Sequence, residues 1–454
     1  MNKSFSKSVV IVGAGVAGLT LGYLLKKEGW EVTVIERDKT VGGLARSFQY
    51  DDFIFDIGPK RFHTDDKEVL AFLHEILQGD HLIVTRASSV YMFGKYFDWP
   101  LNSKALFKLP PSIMIRSFID LIRKREAQNN DSFSEYTRSR YGETLYRLFF
   151  KPYTEKFLQI PCEQVHVDWA KTGINRAIID KRVKSESLLD LVKTVLLPAP
   201  VKTEFIYPSY GGFGTFCKKL EARLREMGGK ILLQTTVSQL NIQDHRISEV
   251  LLTDGTRLRP DYVVWSGNLL NLAQLLAQPA PRIRYLSTIC YNLKMKGDPL
   301  QRAQWIYYGG ADLRMSRVSI TREMAPYMAP EGMSGLCVEV TCLEGDEVWK
   351  TPESLVPQIQ KDLVRVKLIP RVDCIFGVHI ERIRDSYPIY DLDYRKNFSQ
   401  AARIAKPFKN LKLLGRTGAF WYNNSDHSMK MSMDMARHLS YGHAMAEKDE
   451  YFKA

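Results

Sequence analysis

The chain has 454 residues, a formal net charge of +13 and a hydrophobic fraction of 45%. That length supports roughly two or three domains with full cores, and no apolar run approaches the ~20 residues of a membrane span. The basic residues are dispersed, so the charge predicts no nucleic-acid tail and describes a basic surface compatible with anionic small molecules. The six cysteines (Cys162, Cys217, Cys290, Cys337, Cys342, Cys374) form no C-x-x-C, and no histidines cluster beside Cys337 and Cys342. They read as reduced thiols, with no metal expected. The polar stretch Met1 to Ser8 leads directly into the first apolar run, which predicts no leader and a cytoplasmic location.

The first predicted elements carry the chemistry. The run Val9-Val10-Ile11-Val12 reads as a strand, Gly13-Ala14-Gly15-Val16-Ala17-Gly18 as a G-x-G-x-x-G turn, and Leu19 to Lys27 as a helix. A second strand, Glu31 to Ile35, ends on Glu36. In such a unit Gly13 permits the turn, Gly15 admits a pyrophosphate to the backbone, and Gly18 lets the helix pack on the strand. The free N–H groups of the helix start hold phosphate, and Glu36 is placed to accept hydrogen bonds from a ribose. Together these predict a dinucleotide site. The following Gly42-Gly43-Leu44-Ala45-Arg46-Ser47 resembles the second phosphate-side motif of FAD-binding proteins, so FAD rather than NAD is the expected cofactor. Gly43, Leu44 and Arg46 join its binding set, with Arg46 free to pair with a phosphate or the flavin edge.

Further along, 103–153 reads as mostly helical. Ile113, Ile115, Phe118, Ile119 and Ile122 form an apolar stripe, and Asp131-Ser132 caps a second helix running to Phe150. Tyr207-Pro208 and Gly211-Gly212-Phe213-Gly214 bring a second glycine-rich turn, with a helix over Phe216–Met227. Strands follow at 230–237, 247–253 and 262–265, with Asp254-Gly255 as a hairpin turn. Residues 283–343 alternate as an antiparallel sheet, 411–414 is a buried strand before Gly415-Arg416, and a last helix spans about 427–446. The expected fold is α/β with α+β insertions. It comprises a discontinuous Rossmann-like FAD-binding domain (1–100, 205–280, 383–454), a helical substrate-side domain (101–204) and an antiparallel-sheet substrate domain (281–382).

Four segments carry a specific resemblance: Gly43–Ser47 with Phe55-Asp56-Ile57-Gly58; Tyr207-Pro208 with Gly211–Thr215; Ser287-Thr288 with Lys296-Gly297 and Trp305-Ile306-Tyr307-Tyr308; and Gly415-Arg416-Thr417-Gly418-Ala419-Phe420-Trp421-Tyr422-Asn423-Asn424-Ser425-Asp426-His427-Ser428. Across most of its length the chain resembles the flavin amine oxidase and protoporphyrinogen oxidase superfamily, and within it the UDP-galactopyranose mutases. The resemblance implies a flavin-dependent interconversion of pyranose and furanose forms of a nucleoside-diphosphate sugar through an adduct on N5 of the reduced flavin. It makes Arg416 the diphosphate-contacting arginine and Tyr422 and Asn424 phosphate or sugar contacts. Lys296 stands where the mutases carry a second diphosphate arginine. Trp305 and Tyr307 correspond to pocket-lining aromatics, although two residues apart on one strand face equally suit a core. Gly58, Val237, Gly415, Asp426 and Ser428 complete the implied cofactor set. Asp426 or Ser428 reads equally well as a helix N-cap.

One loop departs from the pattern. Where the mutases carry Gly-Gly-His beside the flavin, this chain has Gly58-Pro59-Lys60-Arg61-Phe62-His63. Lys60 takes the histidine's place and His63 lies three residues on, so both enter the catalytic candidates with Arg416. The alternative is an FAD-dependent oxidoreductase of the protoporphyrinogen or amine oxidase kind. Such enzymes often use a membrane-facing helix, for which Leu101–Ile122 is the candidate, so a peripheral contact stays open.

Overall fold

The Val9–Val12 run lies within the strand Ser8–Val12 at the centre of a five-stranded sheet in the computed structural model. The structure describes residues 6–99, 109–123, 127–177 and 203–444. Expectations falling on 101–108, on 178–202 and beyond 444 lie outside the described residues. The sheet order is Leu411–Leu413, Tyr262–Trp265, Ser8–Val12, Glu31–Ile35, Lys230–Leu232, and every pairing is parallel. A parallel sheet buried on both faces favours continuous β-branched runs, which these segments supply. The helix Val16–Lys27 covers one face, and the helix Ser425–Tyr441 packs beside it, where Ser432 Oγ donates to Ala17 O at 2.9 Å. All strands therefore end on the same side, where an open α/β sheet binds its ligand.

Several boundaries differ from the sequence reading. The strand expected over 230–237 stops at Leu232, because Gln234 takes a positive φ of 52° and the next strand begins at Val237. The last helix ends at Tyr441 on the left-handed Gly442. Its N-cap is Asn424, so neither Asp426 nor Ser428 caps it. The apolar stripe falls on the helix Pro111–Ile122 and does not pack inward: Ile115, Phe118 and Ile122 are 61%, 63% and 69% exposed. Among the described residues, no helix is long and apolar enough to cross a membrane.

The second sheet has seven strands in the order Ile375–Pro388, Tyr285–Lys296, Met333–Cys342, Arg317–Ile320, Trp305–Tyr308, Ser88–Met92, Lys95–Asp98. Its pairings are antiparallel except between Trp305–Tyr308 and Ser88–Met92. It thus reaches beyond 281–382 and recruits strands from 88–98. The helical segment is tied to it by Lys156, whose Nζ donates to the carbonyls of Tyr308 (2.5 Å), Gly310 (2.8 Å) and Met315 (2.9 Å).

Candidate active site

The glycine turn is built as the fingerprint requires. Gly13 has φ +106°, and a Cβ on Gly18 would fall 1.9 Å from Gly13 O, so helix and turn meet only because both are glycine. Gly15 differs: a Cβ there meets nothing within 4 Å, because it faces open space. Gly15 caps the helix Val16–Lys27 with no side-chain bond and no acid in its first turn, leaving the N–H groups free for an anion. The second glycine pair lies against the first. Gly42 N donates to Ala14 O at 2.8 Å, and Gly43, at φ +52°, would bring a Cβ within 3.3 Å of Gly15 Cα. Glu36 accepts from Ala14 N at 2.8 Å and Asp38 N at 3.0 Å. A carboxylate has about four acceptor positions, so capacity remains for a ribose. Arg46 pairs with Asp38, and its Nε is buried without a partner.

These residues line one end of a cavity of about 1560 Å³, larger than the roughly 300–1,000 Å³ of a single-ligand cleft. Gly13, Gly15, Glu36, Gly43, Leu44, Arg46, Val237, Gly415, Asp426 and Ser428 line it, as do Lys60, His63, Trp305, Tyr307, Arg416, Tyr422 and Asn424. Gly18 and Gly58 do not; each is a close-packing position, Gly18 beneath the turn and Gly58 (φ +64°) where a Cβ would meet Glu339 Oε1 at 2.4 Å. Lys296 is also outside. It ends its strand exposed, opposite Met333. His63 lines the wall with Nδ1 3.2 Å from Glu204 O.

Asp56 explains two of the sequence motifs. It is buried and accepts from Ser47 Oγ (2.5 Å), Phe213 N (3.1 Å) and Tyr207 Oη (2.6 Å), while Gly214 N donates to Ser47 Oγ at 2.8 Å. The Gly43–Ser47 and Tyr207–Thr215 segments are thus laced through one carboxylate, whose pKa burial raises against these bonds.

Part of the cavity wall is cationic and aromatic. Arg416 donates to Asn423 O at 3.1 Å and lies 4.5 Å from the Tyr387 ring and 4.7 Å from the Tyr422 ring. Its Nε and Nη2 are buried without a partner. Tyr422 stacks on Trp169 at 4.9 Å, which brings the helical segment into the wall. Arg317 donates to Glu339 through Nε (2.6 Å) and Nη2 (2.5 Å), and Nη2 reaches Tyr387 Oη at 3.2 Å. Burial opposes that charge, but Glu339 outweighs it and holds Arg317 ionised. Lys60 faces the same space; burial first, then the Arg416 and Arg317 charges, push it down to about 8.

Arg317, Arg61 and Tyr387 were not among the sequence candidates. The first is defined by its partner Glu339 on the neighbouring strand, a register that no local pattern reveals. Removing that partner has a definite expectation. Glu339→Gln leaves Arg317 buried without its counter-charge, which costs on the order of 3–5 kcal/mol. Calorimetry of the FAD-loaded variant should show a lower unfolding midpoint; an unchanged midpoint contradicts the pair's structural weight.

Fold and site together define a FAD-binding enzyme: a dinucleotide fingerprint, an anion-ready helix start and a cavity that continues past the cofactor end. The chain matches the family described as flavin containing amine oxidoreductase over residues 16–390, and it belongs to that family. The dinucleotide site and the flavin family together make the cofactor FAD. Among solved structures, that of reduced UDP-galactopyranose mutase is similar with a TM-score of 0.81 at 20% identity, covering 98% of this chain and 97% of that one. A putative protoporphyrinogen oxidase from Exiguobacterium gives 0.75 at 17% identity, covering 96% and 99%. By sequence, the chain is 23% identical over 258 residues to coproporphyrinogen III oxidase of Staphylococcus aureus, covering 52% of this chain and 55% of that protein. It is 27% identical over 158 residues to a probable UDP-galactopyranose mutase of Klebsiella pneumoniae, covering 33% and 41%. The chain thus spans about half the length of these two sequence relatives or less.

Proposed function

We propose that this protein is a flavin-dependent mutase that interconverts ring forms of a nucleoside-diphosphate sugar. The observation that carries this reading is Arg416, a cavity-lining guanidinium packed against two tyrosine rings, with two buried nitrogens that have no protein partner. An anion with several oxygens, such as a diphosphate, satisfies such a fork. Likeness to the mutases in fold and sequence adds support. The glycine turn and Glu36 would hold FAD, which in its reduced form would supply a nucleophile for the anomeric carbon. Arg416 receives the charge that develops on the departing diphosphate, because a fixed donor in a dry site stabilises that charge without reorganising. Lys60 adds positive potential to the same space. Tyr387 and Tyr422 orient the guanidinium, and Trp305 and Tyr307 wall the space where a sugar would lie. Titrating the oxidised yellow protein with UDP tests the reading: UDP should perturb the flavin spectrum and saturate, whereas no perturbation and no binding by calorimetry would contradict it.

A pH dependence follows. Lys60 is charged below about 8 and neutral above it in the empty site. Anion binding favours the charged form, so UDP affinity should fall as pH rises from 7 to 9, by up to about tenfold for one charge-assisted contact. Lys60→Met should flatten that profile, with weaker binding at the acid end. An unaltered slope in the variant assigns the dependence elsewhere.

A further inference from the structure

Lys60 and Arg61 stand side by side after Gly58-Pro59, and both line the cavity. Among the described residues neither forms an ion pair with a carboxylate. Arg317 is already neutralised by Glu339. Arg416 and Lys60 feel each other's charge and together match the two negative charges of a diphosphate diester. Arg61 is then left over. Its guanidinium lies 5.0 Å from the centre of the Trp305 ring, and Arg86 lies 5.4 Å from the centre of the same ring. Burial, then the Arg61 charge, pushes Arg86 down to about 10. Asp426 reaches Arg61 only through space, beyond ion-pair distance. Arg61, a cation set against an indole with no carboxylate of its own, is unfavourable there until an anion arrives. The cation–π contact holds the guanidinium against the ring before the ligand binds.

We propose that the substrate's sugar carries an acidic group and that Arg61, over the Trp305 ring, is the residue that reads it. The inference rests on the nucleoside-diphosphate-sugar reading and adds the class of sugar. A neutral hexose leaves Arg61 without an anion, whereas a hexuronate, with a carboxylate in place of the terminal hydroxymethyl, supplies one in bidentate form.

The test measures, by calorimetry on the oxidised FAD-loaded protein, the affinities of UDP, a UDP-hexose and the matching UDP-hexuronate. The wild type should bind the uronate at least about tenfold more tightly than the hexose. Arg61→Met should erase that preference while UDP stays within about twofold, and Arg61→Lys should restore part of it. Equal affinity for the two sugars in the wild type overturns the proposal, and needs no variant to fold. Equal weakening of all three ligands by Arg61→Met also overturns it, assigning Arg61 to the diphosphate. A variant that shifts only the flavin reduction potential overturns it as well, assigning Arg61 to the flavin. UDP binding without a uronate preference removes this inference alone, whereas failure of UDP to bind removes the mutase reading with it.

Discussion

Replacing Arg416 with alanine is expected to lower turnover on a nucleoside-diphosphate sugar by about 10²–10³-fold, the usual cost of losing one donor to a developing oxyanion. UDP affinity should fall by about 10–100-fold, as for a lost charge-assisted hydrogen bond. The reason lies in how the side chain is held. Only Nη1 has a protein acceptor, the rings of Tyr387 and Tyr422 pack against the guanidinium, and Nε and Nη2 are buried without a partner. Arg416→Lys should fall between, since a lysine restores the charge without the fork. FAD should stay bound in both variants, because the glycine turn and Glu36 make no hydrogen bond or ion pair with the Arg416 side chain. Undiminished UDP affinity in Arg416→Ala would contradict the assignment.

The second large effect separates two glycines three residues apart. Gly18→Ala places a Cβ 1.9 Å from Gly13 O, a backbone atom that cannot swing aside, so the turn must move. Overpacking of this kind costs about 1–3 kcal/mol or more, and the expected product is a less stable protein that is purified nearly colourless. Gly15→Ala meets no protein atom, and its φ of −75° and ψ of −176° suit any residue. It should fold with the stability of the apoprotein yet lose most of its FAD, because its methyl group occupies the pyrophosphate's approach. Absorbance at the flavin band, with thermal unfolding of each apoprotein, reads both outcomes. A yellow Gly15→Ala protein would contradict the position given to the pyrophosphate.

The nucleotide end was legible in the sequence because its parts are contiguous. Strand, turn, helix, strand and Glu36 follow one another within 36 residues, and Gly42-Gly43 closes directly onto them. The substrate end was legible only where a motif was intact, as at Arg416 and Tyr422. Lys296 illustrates the limit. Its strand was expected, but register pairs it with Met333 at an exposed end, while Arg317 faces the cavity because Glu339 stands across from it. The recruitment of Ser88–Met92 into the second sheet depends on pairing with residues more than two hundred positions away. The stripe at 113–122 was read correctly as helical and apolar, but periodicity reports an apolar face without naming what covers it. Asp56 was quoted within a motif, yet its role as the tie between two glycine loops emerges only from the three donors that meet on it.

The most direct test of the central claim is an electron balance. The FAD-loaded protein is incubated without oxygen with nucleoside-diphosphate sugars, once oxidised and once after dithionite reduction, and products and flavin redox state are followed together. The mutase account predicts many turnovers of ring isomerisation only in the reduced sample, with no acceptor consumed and the flavin still reduced at the end. Product formed by the oxidised enzyme in step with flavin reduction or acceptor uptake, with no isomer from the reduced enzyme, would contradict it and make this chain an oxidoreductase.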